Sequence, residues 1–165
     1  MRRFVCCIVG NKEGGSKWTA EVAKLAFEAG AIAAKAGFVV MTGGKSGVMS
    51  SAAQGAREAG GMTIGVLPEA DRSMANPFLT FALPTGMGIA RNALTAMFCD
   101  VMIALPGGSG TLEEMAFATD FGRPVLSLGS WDIKGLKGVQ QLHDLAELQV
   151  VLNMVLSELV QTESR

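Results

Sequence analysis

The chain has 165 residues, 49% of them hydrophobic, with a mean hydropathy of +0.34, which suits one domain over residues 1–165 with an extensive interior or a subunit interface. A net charge of −1 and a pI near 5.8 exclude a global basic field of the kind that gathers nucleic acid, and Arg2-Arg3 is the only basic cluster. No apolar run reaches the length of a membrane span, and MRRFVCCIVG passes from a basic start straight into a glycine turn without a leader's apolar core, so a cytoplasmic protein with neither membrane nor nucleic-acid partners is expected.

Arg3 to Val9 reads as the first strand, ending at Gly10-Asn11 and a polar loop through Ser16. Cys6 and Cys7 are adjacent on it and point to opposite faces, as in a strand covered on both sides. Cys6, Cys7 and Cys99 are an odd count without ligand-type spacing, which predicts reduced, buried thiols and no metal. Ser16 is placed to cap a helix running to about Ala36, with Val22, Leu25, Ala29, Ile32 and Ala36 at helical spacing and Gly37 ending it. Gly30 inside that helix costs about 1 kcal/mol relative to alanine, so close packing is expected there.

Phe38 to Met41 reads as a second buried strand, followed by Thr42-Gly43-Gly44-Lys45-Ser46-Gly47 and a helix with Val48, Ala52, Ala56 and Ala59 on one side. Gly60-Gly61 ends it, and Met62 to Leu67 forms a third strand stopped by Pro68. Glu69 to Pro77 is the most polar internal loop and has no periodicity, as a mobile segment would. Phe78 to Leu83 reads as a fourth strand. Pro84-Thr85-Gly86 then leads to a helix over about Met87 to Phe98, with Ala90, Ala93, Leu94 and Met97 as its buried stripe and Arg91 on the flank.

The chain is organised around Asp100 to Glu114. Asp100 to Leu105 is a short apolar run that reads as a buried strand; after Pro106 comes the turn Gly107-Gly108-Ser109-Gly110. Thr111 is expected to open a helix whose stripe is Leu112, Met115, Ala116 and Thr119, leaving Glu114 roughly opposite. A strand, a glycine turn and a helix start make an anion site, because glycines admit a ligand to the backbone and the first helical turn offers unpaired N–H donors with a partial positive charge. Phosphate fits that chemistry. Thr111 and Glu114 are equally spaced as a capping box, in which each satisfies the other's backbone N–H. Glu114 is therefore either a cap or a functional carboxylate.

Pro124 to Leu128 reads as a sixth strand, Gly129 to Gly138 as a loop containing Trp131, and Val139 to Leu142 as a short seventh strand. The single His143 is read as a surface or edge residue. Asp144 with Glu147 is a second capping-box spacing, opening a final helix to about Gln161. That helix is apolar around most of its circumference, through Leu148, Leu152 and Val155 but also Val150, Met154 and Leu156. One side is expected on the sheet and another on a second subunit, giving a homodimer or higher homo-oligomer.

Strands alternating with helices predict an α/β fold: a doubly wound, mainly parallel sheet with helices on both faces. Such sheets bind ligands at the carboxyl ends of their strands, where strand order reverses. The glycine-rich loops after strands one, two and five are expected to meet there, which makes Gly10, Asn11, Gly43, Gly44, Gly107, Gly108, Ser109, Gly110 and Thr111 the candidate phosphate- and ligand-binding residues.

Pro106 to Glu114 also resembles the PGGxGTxxE signature of the Lonely Guy, or lysine decarboxylase-like, proteins. Arg91, nine residues before Asp100, resembles that family's arginine helix. Gly43 to Met49 (GGKSGVM) is similar to its upstream glycine motif, and Gly65-Val66-Leu67-Pro68 to its strand end. The resemblance covers roughly Val5 to Leu128. It implies a Rossmann-like dimer that hydrolyses the N-glycosidic bond of cytokinin riboside 5′-monophosphates or AMP. Gly108, Gly110 and Thr111 would hold the phosphate, with Arg91 and Glu114 as the catalytic pair. No cofactor is required, and no lysine stands in a recognisable cofactor-anchoring context, so decarboxylation is not implied. The chain departs from the family pattern at Asn92, where lysine is usual, at Ser109, where an aromatic is frequent, and at Asn11, where serine follows the glycine. Its short length and Arg91-Asn92 resemble the branch that includes molybdenum-cofactor carrier proteins. That branch implies an alternative: molybdopterin as the bound ligand, no turnover, and Glu114 only a cap. A related DNA-processing domain shares the sheet, but single-strand binding gets little support from an acidic pI and one basic pair.

Overall fold

The structure, a computed structural model, describes residues 2–164. In chain order the elements are β1 (Val5–Val9), α1 (Ala20–Ala36), β2 (Val39–Thr42), α2 (Val48–Glu58), β3 (Thr63–Leu67), β4 (Phe81–Pro84), a 3₁₀ turn (Gly88–Arg91), α3 (Asn92–Phe98), β5 (Val101–Ala104), α4 (Ser109–Asp120), β6 (Val125–Leu128), β7 (Val139–Leu142) and α5 (Leu145–Glu163). The strands form one sheet in the order β4-β3-β2-β1-β5-β6-β7, and every neighbouring pair is parallel. This is the Rossmann-like doubly wound arrangement expected from the sequence. The chain builds outward from β1 to β4, then returns to pair β5 with the other side of β1, in the register Cys6↔Val101 to Val9↔Ala104. Strand order reverses between β1 and β5, so the crevice at their carboxyl ends is where the fold leaves room for a ligand.

Two apolar layers cover the sheet. One joins Cys6, Ile8, Val40, Val101 and Ile103 to α1, α2 and α5; the other joins Cys7, Val9, Met41, Met102 and Ala104 to Ala96 of α3 and Met115 and Ala118 of α4. The adjacent cysteines thus fall on opposite faces, as the pleat requires. All three cysteines are buried free thiols; burial pushes Cys99 up to about 12 and Cys7 well above its ordinary value, so they ionise little and are poor nucleophiles at neutral pH. Helices α1 and α2 cross where side chains are smallest: a Cβ on Gly30 would collide with the Ala52 carbonyl oxygen, and one on Gly55 with that of Phe27. Gly30 therefore exchanges helix propensity for a close backbone approach.

Several boundaries differ from expectation. Helix α1 starts three residues late, capped by Thr19, whose Oγ1 accepts from Val22 N (3.2 Å). The Asn11 amide, oriented with its oxygen toward residues 16–17, accepts from Lys17 N (2.7 Å) and Ser16 N (3.3 Å), so Ser16 belongs to the loop. Strand β4 occupies the sheet edge and begins at Phe81 rather than Phe78, leaving Phe81 and Leu83 exposed. The expected Met87–Phe98 helix divides into a 3₁₀ turn and α3, whose buried residues are Asn92, Thr95 and Ala96 rather than Ala90, Ala93, Leu94 and Met97. The polar face turns inward because its partners lie on α4. The 69–77 loop is tied to the second glycine loop: Asn76 N donates to Gly44 O (2.9 Å), Asn76 Nδ2 donates to Lys45 O (3.0 Å), and Lys45 pairs with Glu69. No helix among the described residues is long and apolar enough to cross a membrane.

Candidate functional site

The loops after β1, β2 and β5 meet at the reversal point. Asn11 N donates to Pro106 O (3.0 Å) while Asn11 O accepts from Val48 N (2.9 Å), so one residue joins all three. Gly47, which caps α2 in the left-handed region (φ 72°), has no room for a side chain against Asn11 O. The loops enclose a cavity of about 540 Å³, a size ordinary for small-molecule sites.

Of the sequence candidates, Gly10, Asn11, Gly43, Gly108, Ser109, Gly110, Thr111, Arg91 and Glu114 line this cavity. Gly44 and Gly107 do not. Both are buried behind the wall, where a Cβ on Gly44 would lie 2.7 Å from Leu67 Cδ2 and one on Gly107 would collide with Thr111 Oγ1. They shape the loops from behind. Gly43 opens the space that Arg91 fills, since a Cβ there would sit 2.5 Å from Nη2 of its guanidinium.

Helix α4 begins at Ser109, not Thr111. Its N-cap is Gly108, which has no side chain to satisfy the first turn. Leu112 N bonds Gly108 O (3.2 Å), but among the described residues nothing outside the helix accepts from the N–H groups of Ser109, Gly110 or Thr111. An uncapped helix start facing a cavity concentrates donors and the positive end of the helix dipole. The lysines Lys12 and Lys45 and the Arg91 guanidinium line the same space, against Glu114 as the one carboxylate in the wall. Lys45 is paired with Glu69 and Arg91 with Glu114, so the positive end of α4 and Lys12 supply the remaining positive charge, and a phosphate is the anion this geometry suits.

Glu114 is not a cap. The inward stripe of α4 is Thr111, Glu114, Met115 and Ala118, one helical step round from the expected Leu112, Met115, Ala116 and Thr119. Glu114, 7% exposed, accepts at Oε1 from Arg91 Nη1 (3.1 Å) and from Thr95 Oγ1 (2.8 Å). A buried carboxylate requires such partners, and this one has them on a different element. Burial pushes its carboxyl up to about 7, while the Arg91 charge and the bonds from Thr95 and Arg91 pull the other way. A carboxyl poised near neutrality beside a cation suits proton transfer. Arg91 Nε–H is buried without a partner, and Asn92 is held by Nδ2 donation to Glu113 Oε2 (2.9 Å).

Four contributors, Lys12, Lys45, Thr95 and Trp131, have no place among the candidate residues. Thr95 stands four residues after Arg91, a spacing that puts both on one helical side and could have marked it. Lys45 sits inside the glycine motif. Trp131 leaves no sequence signal: its Nε1–H donates to Gly108 O (3.1 Å) from the β6–β7 loop, buttressing the carbonyl that starts α4. His143 is exposed, follows edge strand β7 and does not line the cavity.

A parallel sheet with PGGSGT at its reversal point and the buried Arg91–Glu114 pair beside it belongs to a chain of the Lonely Guy-like superfamily. The chain belongs to it: residues 3–157 match the model of the SLOG cluster4 family. It is 33% identical over 121 residues to a cytokinin riboside 5′-monophosphate phosphoribohydrolase of Mycobacterium tuberculosis, an alignment covering 68% of this chain and 65% of that enzyme. Among solved structures it is similar to the molybdenum cofactor carrier protein of Chlamydomonas reinhardtii, with a TM-score of 0.84 and 30% identity over 94% of this chain and 99% of that one. It is likewise similar to the molybdenum cofactor binding protein of Rippkaea orientalis, with a TM-score of 0.79 and 30% identity over 100% and 99%.

Proposed function

We propose that the chain binds a nucleoside 5′-monophosphate, with its phosphate on the first turn of α4, and hydrolyses the N-glycosidic bond. The observation that carries this reading is the placement of an uncapped helix start and a buried Arg91–Glu114 pair in one cavity. Phosphate on the N–H groups of Ser109, Gly110 and Thr111 fixes one end of the ligand and leaves its sugar to reach Glu114. Water's oxygen bonds to C1′ and one of its protons passes to Glu114, while the C1′–N bond breaks and its electron pair leaves with the base. That proton then passes from Glu114 to the departing nitrogen, which restores the carboxylate. Arg91 stabilises negative charge in that step. The products are free base and ribose 5-phosphate. The relation to the phosphoribohydrolase supports this reading.

End-to-end likeness to the carrier structures supports a second reading, in which the same turn holds the phosphate of molybdopterin without turnover. The residues fit that phosphate through the α4 donors, and the group would be cargo. Incubation with AMP and other nucleoside monophosphates, followed by chromatography for free base and ribose 5-phosphate, separates the two. Release by wild type and not by Glu114→Gln supports hydrolysis. Tight molybdopterin binding with no release from any nucleotide supports the carrier.

We also propose a cytoplasmic homodimer through the outward face of α5, where Val150 and Met154 are 60% and 58% exposed. Leu156 packs on the core instead, so Met154→Glu is the informative change; light scattering that still gives a dimer removes this face from the interface.

A further inference from the structure

Both hydrogen bonds to Glu114 fall on Oε1, and no described residue bonds Oε2. Thr95, fully buried on α3, places Oγ1 2.8 Å from Glu114 Oε1 and also 2.8 Å from the Asn92 carbonyl oxygen. A hydroxyl has one hydrogen, so it cannot serve both acceptors at full strength. The ionised carboxylate is the stronger acceptor and takes it. Once Glu114 gains a proton, that hydrogen is free to turn to the carbonyl, and Arg91 still holds Oε1.

We propose that Thr95 is a positioning residue: with Arg91 it pins Oε1 of Glu114, so that Oε2 is the atom that gives and takes the proton on the cavity side. Its hydroxyl alternates between Glu114 and the Asn92 carbonyl as the proton leaves and returns. Neither protonation state then strands a buried donor, which lets one carboxyl serve in both. The role rests on the reading of Glu114 as an acid–base group. Among the described residues, Thr95 is the only neutral hydrogen-bond donor to the Glu114 carboxyl. Arg91 approaches from the 3₁₀ turn, Glu113 adjoins it on α4, and the thiols of Cys7 and Cys99 lie behind it, held neutral by burial. Lys12 and Lys45 line the cavity from the first two glycine loops.

The test is a ligand-free titration of protein carrying ¹³C-carboxyl glutamate, read by NMR, with Glu114→Gln to assign the resonance. Removing a donor to the charged form raises a carboxyl's pKa. Thr95→Val is expected to raise the Glu114 midpoint by about one pH unit, and Thr95→Ser to restore it to within a few tenths. Thr95→Ala carries the same expectation as valine if the branched variant does not fold. An unmoved midpoint in valine and alanine, or an equal shift in serine, overturns the proposal. Because no substrate is present, a chain that releases no base yet shows the shift keeps the positioning role and loses the hydrolase reading. An active enzyme with no shift loses only the positioning role.

Discussion

Two helices of this molecule open on the same local pattern. In α5, Asp144 Oδ1 accepts from Glu147 N (2.8 Å) and Glu147 Oε2 accepts from His143 N (2.7 Å), one residue before the box's usual partner, so side chains of the helix close its own start. In α4, Thr111 lies inside the helix and Glu114 turns to Arg91 and Thr95. The spacing is identical; the partners within reach are not. A cap contributes about 1 kcal/mol, whereas a hydrogen bond to a charged group contributes roughly 1.5–3 kcal/mol. A glutamate offered a guanidinium and a hydroxyl by another element therefore abandons its own helix end. That leaves the α4 start open to a ligand, while the start of α5 is closed by its own side chains.

The sharpest way to break this comparison is to neutralise each glutamate. Glu114→Gln keeps the shape and an acceptor for Arg91 but not the proton, so turnover should fall by about 10²–10⁴-fold while AMP affinity changes little. Glu147→Gln should leave both untouched. A Glu114→Gln protein that releases base at the wild-type rate returns Glu114 to a structural role.

The second effect is on stability against pH. Glu114's folded pKa, about 7, lies above its ordinary 4.5, so between those values the folded state binds more protons than the unfolded one, and stability falls as pH rises. The contribution is fully present below about pH 4.5 and lost by passage through 7; a gap of that size corresponds to about 3 kcal/mol. Denaturant melts should show wild type and Glu114→Gln alike at pH 4 and the variant more stable by roughly 2–3 kcal/mol at pH 8. Parallel curves at both pH values would show that the carboxylate is not buried as described.

The reciprocal change acts on α5. Asp144→Ala should cost about 1 kcal/mol by loss of the cap and leave nucleotide affinity as it was, as isothermal titration against AMP would show. A comparable loss of binding would mean that α5 communicates with the cavity.

These contrasts mark what the sequence made legible. All seven strands follow from apolar runs and glycine or proline stops, which are local signals, whereas the order β4-β3-β2-β1-β5-β6-β7 is a tertiary property the structure supplies. Asp144–Glu147 was legible for the same reason, since both partners sit within one turn. Thr111–Glu114 was not, because its outcome depends on Arg91 and Thr95, 23 and 19 residues away in sequence. The inward face of α3 was misassigned on the same grounds: apolar spacing pointed to Ala90 and Met97, but Asn92 and Thr95 are drawn in by the two α4 glutamates. Trp131 reaches Gly108 across the β6–β7 loop, a contact no periodicity encodes.

The smallest stability effect, and the one that best tests what the open α4 start is for, belongs to Gly110. Its φ is not positive, and a Cβ there would rest at an ordinary 3.7 Å from Asn92 Nδ2. Gly107 is different, since its missing side chain makes room for Thr111. Nothing in the fold requires glycine at 110, and a glycine inside a helix is less favourable than alanine by up to about 1 kcal/mol. Gly110→Ala should therefore raise stability by roughly 0.5 kcal/mol, the smaller figure reflecting its place in the first turn. The same methyl projects where a phosphate would approach the backbone, so AMP affinity should fall at least tenfold, as isothermal titration would show. A variant that is both more stable and equally tight would mean that the ligand does not sit on the first turn of α4. One that is less stable would show that the glycine serves the fold after all, as it does at Gly107.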